Sequence, residues 1–222
     1  MRLTPLPGPR QWNLPPPRGV FFLYQSSRVD PLSEVELISR ARAGDGGAWE
    51  TLMRDQLPAV FRLAYLLLGD ADDAEDVAQE AFIRAYSALD RFDASRPLRP
   101  WLLRITSNLA RNQRRSIGRY LGALQRLVWS DPEALNAVHG RLAASGPGPE
   151  EAHDLWQAVR RLGSTDQEII YLRFFLDLSE AEAARVTQVA AGTVKSRTHR
   201  ALERLRAVVE REFPSLRESL ES

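Results

Sequence analysis

An all-α protein of two small helical domains joined by a flexible linker is the fold this sequence predicts, on three observations. Apolar residues recur at steps of three and four from about residue 31 to 120 and again from about 150 to 213. No stretch alternates at the period of two that a strand requires. Between the periodic regions lie Gly118, Gly122, Gly140 and the run Gly146-Pro147-Gly148-Pro149, which interrupt regular structure. The expected divisions are a Pro-rich tail at 1–29, a first domain at 30–116, a linker at 117–150, a second domain at 151–213 and a tail at 214–222. A chain of 222 residues is long enough for either one large domain or two small ones.

The N-terminal segment holds Pro5, Pro7, Pro9 and Pro15-Pro16-Pro17, so it is expected to stay extended or disordered. It reads as a dispensable leader, a misassigned start or a partner-binding tail, with Val20-Phe21-Phe22-Leu23-Tyr24 as its one docking patch. Leu32, Val35, Leu37 and Ile38 begin a short helix that ends near Gly44. Trp49, Leu52 and Met53 continue in a second helix, and Pro58 is expected to break it or to open the next one. Val60, Phe61, Leu63, Ala64, Leu67 and Leu68 supply an apolar face up to Gly69. Asp70–Asp73 then make an acidic N-cap region, followed by a helix with Ala74, Val77, Ala81, Tyr86 and Leu89 on its buried side. Pro97 and Pro100 interrupt the chain before Trp101, Leu102, Ile105 and Leu109 start another helix, and a local helix is expected at 121–128 within the linker.

In the second domain the stretch 178–206 reads as two helices joined by a short turn. Ser179 and Glu182 have the spacing of a capping box, and the first helix runs to about Val186. Thr187-Gln188-Val189-Ala190 crosses to a second helix opened by Gly192-Thr193, where Val194, Thr198, Ala201, Leu205 and Val208 form a buried face. The rest of that helix presents Lys195, Arg197, Arg200, Arg204 and Arg206. A capped helix, a turn and a basic amphipathic helix make a helix-turn-helix, whose second helix can enter the major groove of DNA.

Composition excludes several functions. The chain has no cysteine, so disulfides and thiolate metal sites are absent and a reducing compartment, the cytoplasm, is expected. His139, His153 and His199 lie far apart with no ligand spacing, so no metal or other cofactor is expected. No apolar run approaches the roughly 20 residues of a membrane span, and no secretory signal opens the chain. No serine is paired with a base and no Gly-rich phosphate loop follows a strand, so the chain does not read as an enzyme.

Net charge is only +1, but its distribution is uneven. Asp70, Asp72, Asp73, Glu75, Asp76 and Glu80 fall in one short stretch without a base. From Ala94 to Ser130 the sequence has Arg96, Arg99, Arg104, Arg111, Arg114, Arg115, Arg119 and Arg126 and no acid. Either block alone is commonly a solvated face. Side by side in one helical domain, they point to one surface for a basic protein and another for a phosphate backbone. Asn108, Asn112 and Gln113 add amides that can read base edges, whereas Trp101, beside Leu102 and Ile105, is weighted toward the core.

These features together resemble the extracytoplasmic-function (ECF) sigma factors of bacterial RNA polymerase. The resemblance rests on GDADDAEDVAQEAFIRAYSALDRFD at 69–93, PLRPWLLRITSNLARNQRR at 97–115 and LRFFLDLSEAEAARVTQVAAGTVKSRTHRALERLR at 172–206. It covers about residues 32–116 and 152–209 and implies a region 2 bundle and a region 4 helix-turn-helix. By that resemblance Asp73, Asp76, Gln79 and Phe82 grip the β′ clamp helices of the polymerase core, which also offers its β subunit. Phe92 to Leu98, including Arg96, correspond to the loop that captures a base flipped from the minus-ten element. Trp101, Asn108, Arg111, Asn112 and Arg115 fall on the helix that approaches it. Lys195, Ser196, His199 and Arg200 correspond to positions facing the minus-thirty-five element of promoter DNA, with Arg197 and Arg204 placed for phosphate. Members of the family are often held inactive by an anti-sigma factor.

The chain departs from the family pattern at Gln188 in the turn, Ala183 and Thr187 in the first helix, Gly163, and the weak cap at Ala190-Ala191. These departures imply a lightly packed second domain, steadied by DNA or a partner. The competing reading is a stand-alone helix-turn-helix regulator whose N-terminal domain senses or dimerises.

Overall fold

The computed structural model describes residues 31–127 and 150–213, with side-chain surroundings at 34–116 and 154–213. The expectations for the tails, the Val20–Tyr24 patch, the Arg119 and Arg126 side chains and the chain at 128–149 lie outside the described residues. The chain divides into two compact units. Among the described residues all regular structure is helical.

The first unit contains α1 (Pro31–Arg42), α2 (Gly46–Leu68), α3 (Ala71–Ala88), a 3₁₀ turn (Leu89–Arg91) and α4 (Leu98–Leu127). α2 is central and packs against α1, α3 and α4. Asp45 caps α2 by accepting the Ala48 N–H at 3.1 Å, and Asp70 caps α3 by accepting the Asp73 N–H at 3.0 Å. Gly69 closes α2 at φ 81°, its N–H donating to the Tyr65 carbonyl at 2.7 Å, a left-handed end that favours glycine. Ala74, Ala78, Ala81 and Ala85 are buried along α3, and their small side chains let it lie close to its neighbours.

Three expectations change here. Pro58 neither breaks α2 nor starts a helix; α2 runs unbroken through it. Proline costs about 3 kcal/mol inside a helix, whereas each buried leucine contributes roughly 1.5–3 kcal/mol. Leu52 before Pro58 and Val60 and Leu63 after it are all buried, so continuing one apolar face outweighs the lost bond. Tyr86 is 49% exposed and Ala85 takes its place inside, while Leu89 is buried from the 3₁₀ turn rather than from α3. Pro100 lies in the first turn of α4, where no N–H is needed, and α4 continues past residue 116 as far as Leu127.

The second unit contains α5 (Glu150–Arg160), α6 (Ser164–Ile170), a π turn (Tyr171–Phe175), α7 (Glu180–Thr187) and α8 (Ala191–Glu212). α8 packs against α5, α6 and α7. Trp156, Tyr171, Ile169 and Leu172 fill the interior, and Gln167 Nε2 staples α6 to the end of α5 through the Arg160 and Leu162 carbonyls at 3.0 and 2.8 Å. The capping box forms in full: Glu182 N–H donates to Ser179 Oγ at 3.2 Å and Ser179 N–H to Glu182 Oε2 at 2.8 Å. Gln188 adopts φ 58°, the left-handed conformation for which glycine is better suited. Ala183, Val186, Val194 and Ala201 are fully enclosed, which fixes how α7 and α8 meet.

Candidate functional site

The acidic helix α3 presents one continuous outer stripe. Asp72, Asp76, Gln79, Ile83 and Tyr86 are all exposed and follow steps of four and three, so they lie within one narrow arc of the helix. Ile83 is 61% exposed and Tyr86 packs its ring 5.2 Å from Trp49 of α2, so the acidic end of the stripe leads into an apolar one. Ile83 and Tyr86 continue this exposed stripe and were not among the residues assigned to it from the sequence. The three-four spacing running on from Asp72 and Asp76 was the available signal. Of the four positions assigned to polymerase, Asp76 and Gln79 face outward. Phe82 is 4% exposed, edge-on to Trp49, and so supports the stripe from beneath. Asp73 is half-buried and accepts a hydrogen bond from Gln113 Nε2 of α4 at 2.7 Å. Burial and the neighbouring Asp70 push its carboxyl above the usual range, against the pull of the Gln113 bond. Asp73 therefore joins α3 to α4 instead of standing free.

α4 carries the opposite chemistry. Asn108, Asn112 and Arg115 are exposed on one face, with Trp101, Arg104 and Arg111 partly exposed along the same stripe. Arg111 folds back onto its own helix, Nη2 donating to Ser107 Oγ at 3.0 Å. Trp101 lies tilted against Phe92 with ring centres 4.6 Å apart, and Phe92 is itself buried, so the two rings form one wall at the foot of the loop. Leu98 is fully enclosed and presents no side chain to a ligand; the sequence expectation of a contact there is corrected by its place in the core. Arg96 is exposed and pairs with Asp93 at 3.0 Å. Asp93 also accepts from the Ser95 hydroxyl at 2.6 Å, which with the Ser95 N–H holds its carboxyl below the usual range.

In the second unit the outward face of α8 holds Lys195, Ser196, His199 and Arg200, all exposed, with Arg197 half-buried. Arg197, Arg200 and Arg204 line one cleft with Gly163, Ser164, Thr165 and Asp166 at the start of α6. Arg204, expected at phosphate, is paired with the largely buried carboxylate of Asp166 and ties α8 to α6. His199 lies 3.3 Å from Glu203. Ala190 gives α8 no side-chain cap, and Ala191 and Gly192 are exposed, so the helix end is open to solvent. Among the described residues no cluster of His, Asp and Glu could hold a metal ion, and no helix is long and apolar enough to cross a membrane.

Two family profiles match this arrangement: Sigma-70 region 2 over residues 52–120, and Sigma-70, region 4 over residues 152–205. An acidic and a basic helix in one bundle and a helix-turn-helix in a second unit thus define a protein of the sigma-70 class. The ECF RNA polymerase sigma factor SigW of Bacillus subtilis (strain 168) is 33% identical over 178 residues, covering 76% of this chain and 92% of the relative. A structure of CnrH in complex with the cytosolic domain of CnrY is similar with a TM-score of 0.61 at 26% identity, covering 81% of this chain and 99% of that one. The sigma factor RpoE in complex with the anti-sigma factor NepR, from Bartonella quintana, is similar with a TM-score of 0.59 at 27% identity, covering 73% of this chain and 97% of that one. The chain belongs to the ECF sigma factors, which direct RNA polymerase to promoters. Matches to both regions in one chain set aside the stand-alone regulator.

Proposed function

We propose that the two units divide promoter recognition between them. The outer stripe of α3, from Asp72 through Asp76, Gln79 and Ile83 to Tyr86, docks on a basic, partly apolar helical surface of the polymerase core, the β′ clamp helices. The arginine and asparagine face of α4 and the loop 92–98 take the minus-ten element, with one base unstacked against the Phe92–Trp101 wall. α8 takes the minus-thirty-five element through Lys195, Ser196, His199 and Arg200, with Arg197 on phosphate. The chain acts in the cytoplasm, has no catalytic chemistry of its own and is held inactive by an anti-sigma factor. The similar structure of the sigma factor RpoE in complex with the anti-sigma factor NepR supports this last reading.

The observation behind the division is that one bundle holds an acid-rich stripe on α3 and an acid-free arginine stripe on α4. One surface cannot serve both partners, because like charge repels phosphate from the first and a basic clamp from the second. Base extrusion costs a few kcal/mol, which stacking and arginine contacts in the loop offset. Purified protein alone should bind promoter duplex weakly, and with core polymerase it should yield a start-site-specific transcript. Asp76→Ala should weaken core binding, whereas Lys195→Ala and Arg200→Ala should weaken discrimination of the upstream element. Equal loss of core binding in all three would overturn the division.

A further inference from the structure

α1 lies before the region 2 match, which begins at residue 52, yet it holds both ends of the segment 89–98. Arg42 Nε donates to the Leu89 carbonyl at 3.0 Å, and its Nη2 donates to the Phe92 carbonyl. Glu34 Oε1 accepts the Leu98 N–H at 3.1 Å. Eight residues separate Glu34 from Arg42, about 12 Å along a helix at 1.5 Å per residue. The two groups therefore brace the entrance and exit of the loop from one rigid rod.

Each contact meets a need that the loop cannot meet itself. The Leu98 N–H is an orphan donor at the start of α4, and the preceding Pro97 offers no side-chain acceptor. Ser95 is turned onto Asp93, with its N–H at 3.1 Å and its hydroxyl at 2.6 Å from the carboxylate. Glu34 thus caps α4 from another helix. The guanidinium fork of Arg42 grips the carbonyls on either side of Asp90-Arg91, just where the ring of Phe92 turns onto Trp101 at 4.6 Å.

We infer that Arg42 and Glu34 are positioning residues that shape the 92–98 loop before DNA arrives and so set which base it accepts. The inference rests on the reading of that loop as the base-capture element. Recognition sites lose selectivity when supporting contacts let them drift by about 1 Å, because the reading groups no longer meet the base in one geometry.

The test uses holoenzyme reconstituted with the full chain, on templates carrying each of the four bases at each melted position, with open-complex yield as readout and core affinity measured in parallel. Arg42→Ala and Glu34→Ala should flatten the base preference at one position by about tenfold, roughly 1.4 kcal/mol, with core affinity held within about twofold. Glu34→Gln, which keeps an acceptor for the Leu98 N–H, should restore the preference. Unchanged preference in both alanine variants overturns the proposal, and so does a uniform fall in yield that tracks lost core affinity, the mark of a merely structural helix. A wild-type chain without preference at any melted position overturns the base-capture reading itself, an outcome distinct from a preference that the variants leave intact.

Discussion

Replacing Ala190 with serine should stabilise the second unit and weaken its hold on DNA at the same time. Ala190 precedes α8 with φ −64° and ψ 148° and makes no side-chain cap. Ser179 precedes α7 with φ −63° and ψ 163° and caps it through its Oγ. The backbone at 190 is therefore already in the capping conformation, and a serine Oγ there would reach the Thr193 N–H without strain. That N–H already donates to the Ala190 carbonyl at 2.9 Å, so the gain should sit mid-range for such caps, about 1 kcal/mol. For a unit of this size that is about 4–8 °C in melting temperature, read by calorimetry on the full chain. The open helix end also offers its N–H groups to a DNA phosphate, and a capping hydroxyl competes for them. Affinity of the holoenzyme for the upstream element should fall about threefold, within the 0.3–1 kcal/mol of a helix-end contribution. An unchanged or lowered melting temperature refutes the capping argument. A stability gain with unchanged DNA affinity refutes the role given to the open end.

Ile83→Ala, at an exposed site, should leave stability within about 0.5 kcal/mol while weakening core binding; a large loss of stability would remove Ile83 from the interface. Leu103→Ala, at a fully enclosed site, should cost about 2–5 kcal/mol in urea unfolding, and a smaller loss would mean that α4 repacks freely. Burial raises the Glu34 carboxyl above its ordinary 4.5, opposed by the Leu98 bond. The folded state therefore binds the extra proton, and this stabilisation is full below the unfolded value and lost as pH rises through the raised one. Glu34→Gln should flatten the fall in stability as pH rises from the ordinary carboxylate value through the raised one, and gain relative stability above it; parallel wild-type and variant curves would refute it. Arg197→Ala should reduce the salt slope of upstream-element binding by about 0.9, the share of one phosphate contact, and an unchanged slope would refute that placement.

The helices were legible where local rules governed them. Asp70 and Ser179 announce their helix starts through side chains that reach only three residues ahead, and the α8 stripe of Val194 and Ala201 repeats within one element. Pro58 misled because its penalty is local while the burial that overrides it comes from α1, α3 and α4. Tyr86 misled for the converse reason, since its spacing suits the core but Ala85 fits the close helix approach. The loop braces were invisible because Arg42 and Leu89 are 47 residues apart, and Glu34 and Leu98 are 64 apart. Asp73 looked like its neighbour Asp76 until Gln113, 40 residues on, proved to hold it.

The distribution of cations bears on how the two units share promoter DNA. On α8, Arg204 is committed to Asp166, which leaves Lys195, Arg197, Arg200 and Arg206 without a carboxylate partner among the described residues. Even were all four to meet phosphate, the salt slope would reach only about −3.6, a shallow dependence beside a slope of about −10 for a repressor that binds alone. Beside α4, Arg96 of the preceding loop is paired with Asp93, and on α4 itself Arg111 is turned back on Ser107, so two cations of that surface are already engaged. Held by one polymerase, the second contact becomes intramolecular, and linkage can raise affinity by about 10²–10⁴ without a new contact. The acid-rich α3 adds repulsion toward free DNA, which disfavours binding without the core polymerase.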